Sequence, residues 1–423
     1  MNCKVAKLCG GCSYLNMPDF KAAKQKQVQV QEVMDKAGLR VKVDPVILAQ
    51  NSMGYRNKVI VGFAKDRNKK IYSGLYAPRS HKVIDSQGCP MHENLLNEII
   101  TEITKLVNSM HYELYNERTG TGLLRHVLLR YAKDTDEVMV VFVTSQPQFP
   151  SRRNLVNALV AKFPQIKTIV QSVNARQTSV VMENESQILY GKGMITDNLC
   201  GLKISFTAGS FYQINHDQCE KLYELAKKVL NPRKTDRILD TYCGVGSIGL
   251  MMADSVKEVT GVEINKEAVK CAQFNAKQNG IENIRFVPMD STYFMKEARK
   301  FDTHFDCIIL DPPRAGTTEE FIEAACSLRP KKILYISCDP NTQARDLIRF
   351  KRGGYYTNEI HLVDMFPHTE HVESICLLTP SKNAPKKFEK KGPSKGVQKP
   401  KKDLNPYEKA LLELKQSKKN KKK

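Results

Sequence analysis

The residues best suited to chemistry sit at the ends of short apolar runs. Cys338 closes one such run in Tyr335-Ile336-Ser337-Cys338-Asp339-Pro340. A cysteine partly exposed at a strand end, beside a ligand crevice, becomes a nucleophile if its pKa is lowered. Glu373 stands at the start of another apolar run, after Asp364-Met365-Phe366-Pro367-His368-Thr369-Glu370-His371-Val372. An ionised carboxylate is costly to bury there, so Glu373 is a candidate for a raised pKa and for proton transfer. His368 and His371 have no partners at metal-ligand spacing. In Asp311-Pro312-Pro313-Arg314 two prolines make a stiff turn lacking two backbone donors, which holds Asp311 out at the carboxyl edge where doubly wound sheets bind ligands.

A second group of residues reads as a cofactor site. Asp240-Thr241-Tyr242-Cys243-Gly244-Val245-Gly246-Ser247-Ile248-Gly249 puts glycines where a backbone must approach a ligand closely, and Glu263 ends the next strand, spaced to hold the two hydroxyls of a ribose. That pattern serves nicotinamide, flavin and S-adenosylmethionine alike. Asp240, just before the glycines and placed to meet a cationic ligand, and a terminal antiparallel strand pair favour the methyl donor. Asp290, at the end of the third strand, is placed for an adenosine moiety.

The elements that carry these residues follow from periodicity. Strands at 237–241, 258–263, 284–289, 305–310 and 332–337 alternate with helical patterns, which implies a doubly wound parallel α/β sheet. The last two strands, 359–363 and 372–378, are joined too closely for a crossover helix and are expected to run antiparallel. Before residue 206 the grammar differs: a helix at 18–36, strands between 41 and 84, an amphipathic helix at 93–109, then strands and a helix through 195, an α+β pattern. The expected organisation is 1–205, 206–380 and a Lys-rich tail at 381–423 without stable structure.

Charge points to a polyanionic partner. The 423 residues carry a net +21, of which the tail supplies +12 through 16 Lys against four acids, leaving +9 for 1–380. No apolar stretch is long enough to span a membrane and the first residues do not form a secretory signal, so a cytoplasmic protein without a membrane partner is expected. Twelve Cys in such a chain are read for metals or catalysis rather than disulfides.

Taken together, Phe211-Tyr212-Gln213-Ile214-Asn215, the glycine loop, Asp311-Pro312-Pro313-Arg314, Ser337-Cys338 and Asp364-Met365-Phe366-Pro367 with His371-Val372-Glu373 resemble, in this order, the signatures of the S-adenosylmethionine-dependent RNA uracil-C5 methyltransferases. The resemblance implies a class I methyltransferase Rossmann-like sheet, with Cys338 adding to C6 of uracil and Glu373 removing the C5 proton. It gives Gln213, Tyr242, Glu263, Asp290 and Asp311 to the S-adenosylmethionine site, together with Ser247, where relatives often have Asn. Asp311 is also expected to touch the uracil edge.

The resemblance extends to the N-terminus. Cys3-x5-Cys9-x2-Cys12, with Cys89 in Gly88-Cys89-Pro90, is similar to the four-Cys [4Fe–4S] site of the family's 23S ribosomal RNA branch, zinc on the same thiolates being the alternative. Tyr55-Arg56-Asn57-Lys58 resembles the family's Tyr-Arg motif. Many relatives carry an RNA-binding TRAM barrel before the Cys motif, and none is expected here. An iron–sulfur and RNA-binding α+β domain is thus expected before the catalytic one, with 23S ribosomal RNA as the first substrate expected, transfer RNA the second, and monomer as the default state. Two other readings compete: an amino-group methyltransferase, since Asp311-Pro312-Pro313 resembles the Asp-Pro-Pro-Tyr motif for exocyclic amines, and a non-catalytic RNA-binding protein.

Overall fold

The computed structural model describes residues 3–178, 180–183 and 186–381; the Lys-rich tail, apart from Ser381, lies outside the described residues. The described residues divide into two compact units: those within 3–22, 48–220 and 365–370 form one, and those within 23–47, 221–364 and 371–381 the other. The expected single cut at residue 205 is therefore replaced by interleaved segments. The reason is strand pairing: Lys42–Ile47 runs parallel to Glu359–Val363 and so extends the C-terminal sheet.

In that second unit the parallel strands lie in the order Ile284–Pro288, Glu258–Glu263, Arg237–Thr241, Cys307–Leu310, Lys332–Ser337. Glu373–Pro380 then pairs antiparallel with Lys332–Ser337, and Glu359–Val363 antiparallel with Glu373–Pro380, as expected from their short connection. Cys307–Leu310 is buried along its whole length, which is why it reads as a continuous apolar run: helices cover both faces of a parallel sheet. From Arg237–Thr241 the chain winds first to one side and then, with Cys307–Leu310, to the other. The crevice above this reversal is where such sheets bind ligands.

Local chemistry starts the helices at this edge. Asn265 accepts from the N–H groups of Glu267 and Ala268, Asp290 from Tyr293, and Asp339 from Asn341, capping Lys266–Gln278, Ser291–Lys300 and Pro340–Arg352. Pro340 at the first turn stops the strand that carries Cys338 and begins the next helix.

The first unit is built on a seven-stranded sheet ordered Val83–Asp85, Ile71–Tyr76, Lys58–Lys65, Leu124–Ala132, Glu137–Thr144, Ile166–Val173, Ser186–Gly191. Its one parallel pair, Glu137–Thr144 with Ile166–Val173, is connected through the helix Arg152–Lys162. Leu96, Ile99, Ile103 and Val107 of the helix Asn94–Ser109 pack into the same apolar core as Val127, Leu129, Val140 and Phe142 of the sheet. Among the described residues no helix is long and apolar enough to cross a membrane.

Candidate active site

Strand register brings the two expected catalytic residues together. Ser337 pairs with Ser374 in the antiparallel ladder, so the next residue of each strand toward the sheet edge, Cys338 and Glu373, face one another. Ser374 reinforces this register: its buried Oγ lies 3.0 Å from the Ser337 carbonyl and 2.8 Å from Gln343 Oε1. One strand over, Leu310 pairs with Tyr335, so Asp311 leaves the sheet at the same edge. Cys338 and Asp311 are half-buried, and Glu373 is 3% exposed.

These groups share one electrostatic field. Burial, reinforced by the Asp311 charge, lifts Glu373 well above the usual carboxylate range, with Arg314 opposing. Burial pushes Asp311 up to about 7. The expectation of a lowered pKa at Cys338 is not met: burial and the carboxylates of Glu373 and Asp311 push the thiol up to about 11, against a charge and hydrogen bond from Arg314. A thiol next to two acids loses its proton reluctantly in the ligand-free protein. What the arrangement can do is add a sulfur to an electrophilic carbon while a neighbouring carboxyl group moves a proton.

The glycine loop forms the second part of the crevice. Asp240 is 1% exposed, and its Oδ2 accepts the Gly249 N–H at 2.9 Å. A Cβ on Gly249 would meet that Oδ2 at 2.8 Å, so only glycine allows the approach. Burial raises Asp240 to about 8. Its Oδ1 is buried with no hydrogen-bond partner among the described residues, an acceptor that a bound cation would satisfy. Above the loop, Gly244 has φ +54 and a Cβ there would meet nothing within 4 Å, so bare backbone faces open space. These two features fit a cationic cofactor such as S-adenosylmethionine.

The other expected cofactor residues surround this loop. Glu263 accepts the N–H groups of Gly244 (3.1 Å) and Asn265 (2.8 Å), and so fixes the turn as well as facing the ligand edge. Tyr242 has φ +59, a left-handed conformation uncommon outside glycine and typical of functional sites, and its hydroxyl lies 2.9 Å from Thr317 Oγ1. Ser247 starts the helix Ser247–Ala253 with its Oγ 2.9 Å from the Tyr223 hydroxyl. Asp290 is exposed at its helix cap. Ile264, directly after Glu263, is 67% exposed; sequence reasoning missed it, although an apolar residue after a strand-end acid is the signal to look for.

Gln213 and the N-terminal cysteines belong to the first unit. Asn57 holds the Gln213 segment, donating its side-chain amide to the Gln213 carbonyl and its backbone N–H to that of Ile214, each at 3.0 Å. Phe211 is 64% exposed and offers a bare aromatic face, which its place in the motif alone did not reveal. Cys3, Cys9 and Cys89 each act electrostatically on Cys12, whose thiol burial pushes up to about 11. Arg56 lowers both Cys12 and Cys89, and the N–H groups of Met91 and His92 hydrogen bond to the Cys89 sulfur. Thiols within electrostatic reach of one another, with a guanidinium and backbone donors beside them, fit a thiolate-bound metal centre.

Residues 20–381 match the family described as tRNA (Uracil-5-)-methyltransferase. An uncharacterized RNA methyltransferase of Oceanobacillus iheyensis is 36% identical over 374 residues, covering 88% of this chain and 81% of the relative. Another from Clostridium tetani is 35% identical over 378 residues, covering 89% and 82%. Among solved structures, Pyrococcus abyssi tRNA (uracil-54, C5)-methyltransferase in complex with S-adenosyl-L-homocysteine aligns with TM-score 0.70 and 27% identity, covering 88% of this chain and 86% of that one.

Proposed function

We propose that this chain, which belongs to the tRNA (uracil-5-)-methyltransferase family, methylates C5 of a specific uridine in RNA, giving 5-methyluridine, with Cys338 as nucleophile and Glu373 as base. The observation that carries the reading is the Cys338–Glu373 juxtaposition beside Asp311 and Arg314. C5 of uracil is a weak nucleophile, and addition of a sulfur at C6 moves electron density onto it. When bound, S-adenosylmethionine supplies an electrophilic methyl group. Cys338 loses its proton and forms a bond to C6; after C5 has gained the methyl, Glu373 takes the C5 proton, and expulsion of Cys338 restores the C5–C6 double bond. The environment that raises Glu373 makes its ionised form a stronger base than a carboxylate in water. Arg314 is the charge that favours the thiolate. The target base must leave its stack to reach a half-buried sulfur, which favours a loop or single-stranded segment.

Gln213, Tyr242, Ser247, Glu263, Asp290 and Asp311 hold the cofactor in this reading, and Cys3, Cys9, Cys12 and Cys89 hold a [4Fe–4S] cluster with Arg56 as counter-charge. The cluster serves structure and RNA placement, since the methyl transfer needs no redox step. The reaction takes place in the cytoplasm on 23S ribosomal RNA, the substrate to which the four cysteines point. A second reading, transfer RNA, is favoured by the specificity of the Pyrococcus abyssi enzyme.

Covalent trapping tests both. Anaerobically purified protein is mixed with S-adenosylmethionine and 5-fluorouridine-substituted 23S fragments or transfer RNA. Fluorine at C5 blocks the last proton removal, so a denaturing gel should show an adduct that mass spectrometry maps to Cys338 on one RNA. No adduct on either RNA, with the cofactor bound, sinks the C5 mechanism and brings the amino-group alternative forward.

A further inference from the structure

The loop that carries Arg314 runs from the strand Cys307–Leu310 to the helix Glu319–Leu328. Arg314 is exposed, and the Pro313 carbonyl accepts the Gly316 N–H at 2.8 Å, so a tight turn brackets it. Two adjacent residues of the helix Pro340–Arg352 grip the far side of that turn. Arg345 Nη2 donates to the carbonyls of Ala315 (2.8 Å) and Thr317 (3.2 Å), and Asp346 Oδ2 accepts the Thr317 N–H at 3.0 Å. The approach is close: a Cβ on Gly316 would meet Arg345 Nη2 at 2.5 Å and Asp346 Oδ2 at 2.6 Å.

The same pair is anchored to the strand that ends in Cys338. Asp346 is fully buried; its Oδ2 also accepts the hydroxyl of Tyr335, three residues before Cys338, at 2.8 Å, and its Oδ1 accepts Arg345 Nε at 2.9 Å. The helix itself starts directly after Cys338, with Asp339 as its cap. One helix therefore follows the sulfur in the chain and grips the loop whose guanidinium hydrogen bonds to that sulfur. A long exposed side chain loses rotamer freedom in keeping one contact, and a backbone fixed on both sides of it limits that loss.

We infer that Arg345 and Asp346 are positioning residues that hold Arg314 against Cys338. The inference rests on the reading of Cys338 as the nucleophile and gives a role to two residues outside the reacting atoms.

The test uses the full chain, anaerobically purified, without RNA or S-adenosylmethionine. Iodoacetamide alkylation of Cys338 is followed by peptide mass spectrometry from neutral to alkaline pH. Each unit by which a thiol's pKa rises removes about tenfold of its thiolate and makes the remainder about threefold more nucleophilic, so the rate at fixed pH falls about threefold. Arg345→Gln should slow Cys338 by about that factor, and Arg314→Gln by at least as much. The double variant should be no slower than Arg314→Gln alone, because both changes act through one guanidinium. Arg345→Lys, which keeps a cationic donor for the two carbonyls, should lie between the wild type and Arg345→Gln. Asp346→Asn should match Arg345→Gln; where that buried change lowers stability, Arg345→Gln, at a side chain 42% exposed, keeps the test readable.

A purely structural role gives the opposite sign. A loosened fold exposes sulfur, so Cys338 and the buried Cys376 would both react faster, and that result overturns the assignment. A wild-type rate in Arg345→Gln overturns it as well, as does additive slowing in the double variant. If Arg314→Gln itself reacts like the wild type, Arg314 is not the counter-charge, and that reading of the site fails together with the assignment. If Arg314→Gln is slow and Arg345→Gln is not, the site reading stands and the positioning role alone fails.

Discussion

Ser337 and Ser374 are direct partners in the antiparallel ladder, and that single register makes Cys338 face Glu373. A slip by one residue would turn every side chain of the strand to the opposite face. The buried Ser374 hydroxyl, within hydrogen-bond distance of both Ser337 and Gln343, guards against it.

Replacing Glu373 by Gln removes the base but keeps the shape. Turnover should fall about a hundred- to ten-thousand-fold, the usual worth of a positioned proton acceptor. Ordinary, unfluorinated RNA should then accumulate as a covalent complex visible on a denaturing gel, and Cys338→Ala should show none. A fast Glu373→Gln enzyme without adduct would assign proton removal to another group.

The raised Cys338 thiol predicts how it reacts in the absence of ligands. Because the thiolate is the nucleophile and the thiol titrates at about 11, alkylation by iodoacetamide at Cys338 should accelerate steadily from neutral pH to about 11. Removing the favourable charge with Arg314→Gln should slow it at any fixed pH in that range. Peptide mass spectrometry resolves Cys338 from the other cysteines, and a plateau near neutral pH would contradict the burial argument.

Asp240 predicts a pH dependence of stability. Its pKa rises from 3.8 to about 8 on folding, so between those values the folded protein keeps a proton that the unfolded chain has lost. Stability from this group is therefore intact below pH 3.8 and declines as pH climbs toward 8, by roughly 5 kcal/mol as an upper bound. Asp240→Asn retains an acceptor for the Gly249 N–H without the charge. In ligand-free protein its melting temperature should fall less than the wild type's between pH 5 and 8, and a gap that does not widen with pH would refute the assignment.

Lys26 and Asp364 form a buried ion pair at 2.6 Å, with side-chain exposures of 0% and 4%, where the second unit's chain leaves the strand Glu359–Val363. Lys26→Met removes the cation beside a buried carboxylate and should cost about 3–5 kcal/mol. Lys26→Met combined with Asp364→Leu should recover much of that loss, because two packed apolar groups need no partner. Chemical denaturation of the two variants measures the difference, and equal losses would show that the pair is not the issue.

The sequence alone determined everything that depends on neighbours along the chain. The alternation of strands and helices after residue 206, the antiparallel last pair and the glycine loop are local patterns with local physical causes, and the joint motifs named the family. Tertiary structure alone decided what depends on pairing between distant segments. The strand Lys42–Ile47 joined the C-terminal sheet through parallel register with Glu359–Val363, which no periodicity encodes. Asp240 turned inward to Gly249, and Cys338 gained a raised pKa, because each energy is set by burial and by charges brought close from elsewhere in the sequence.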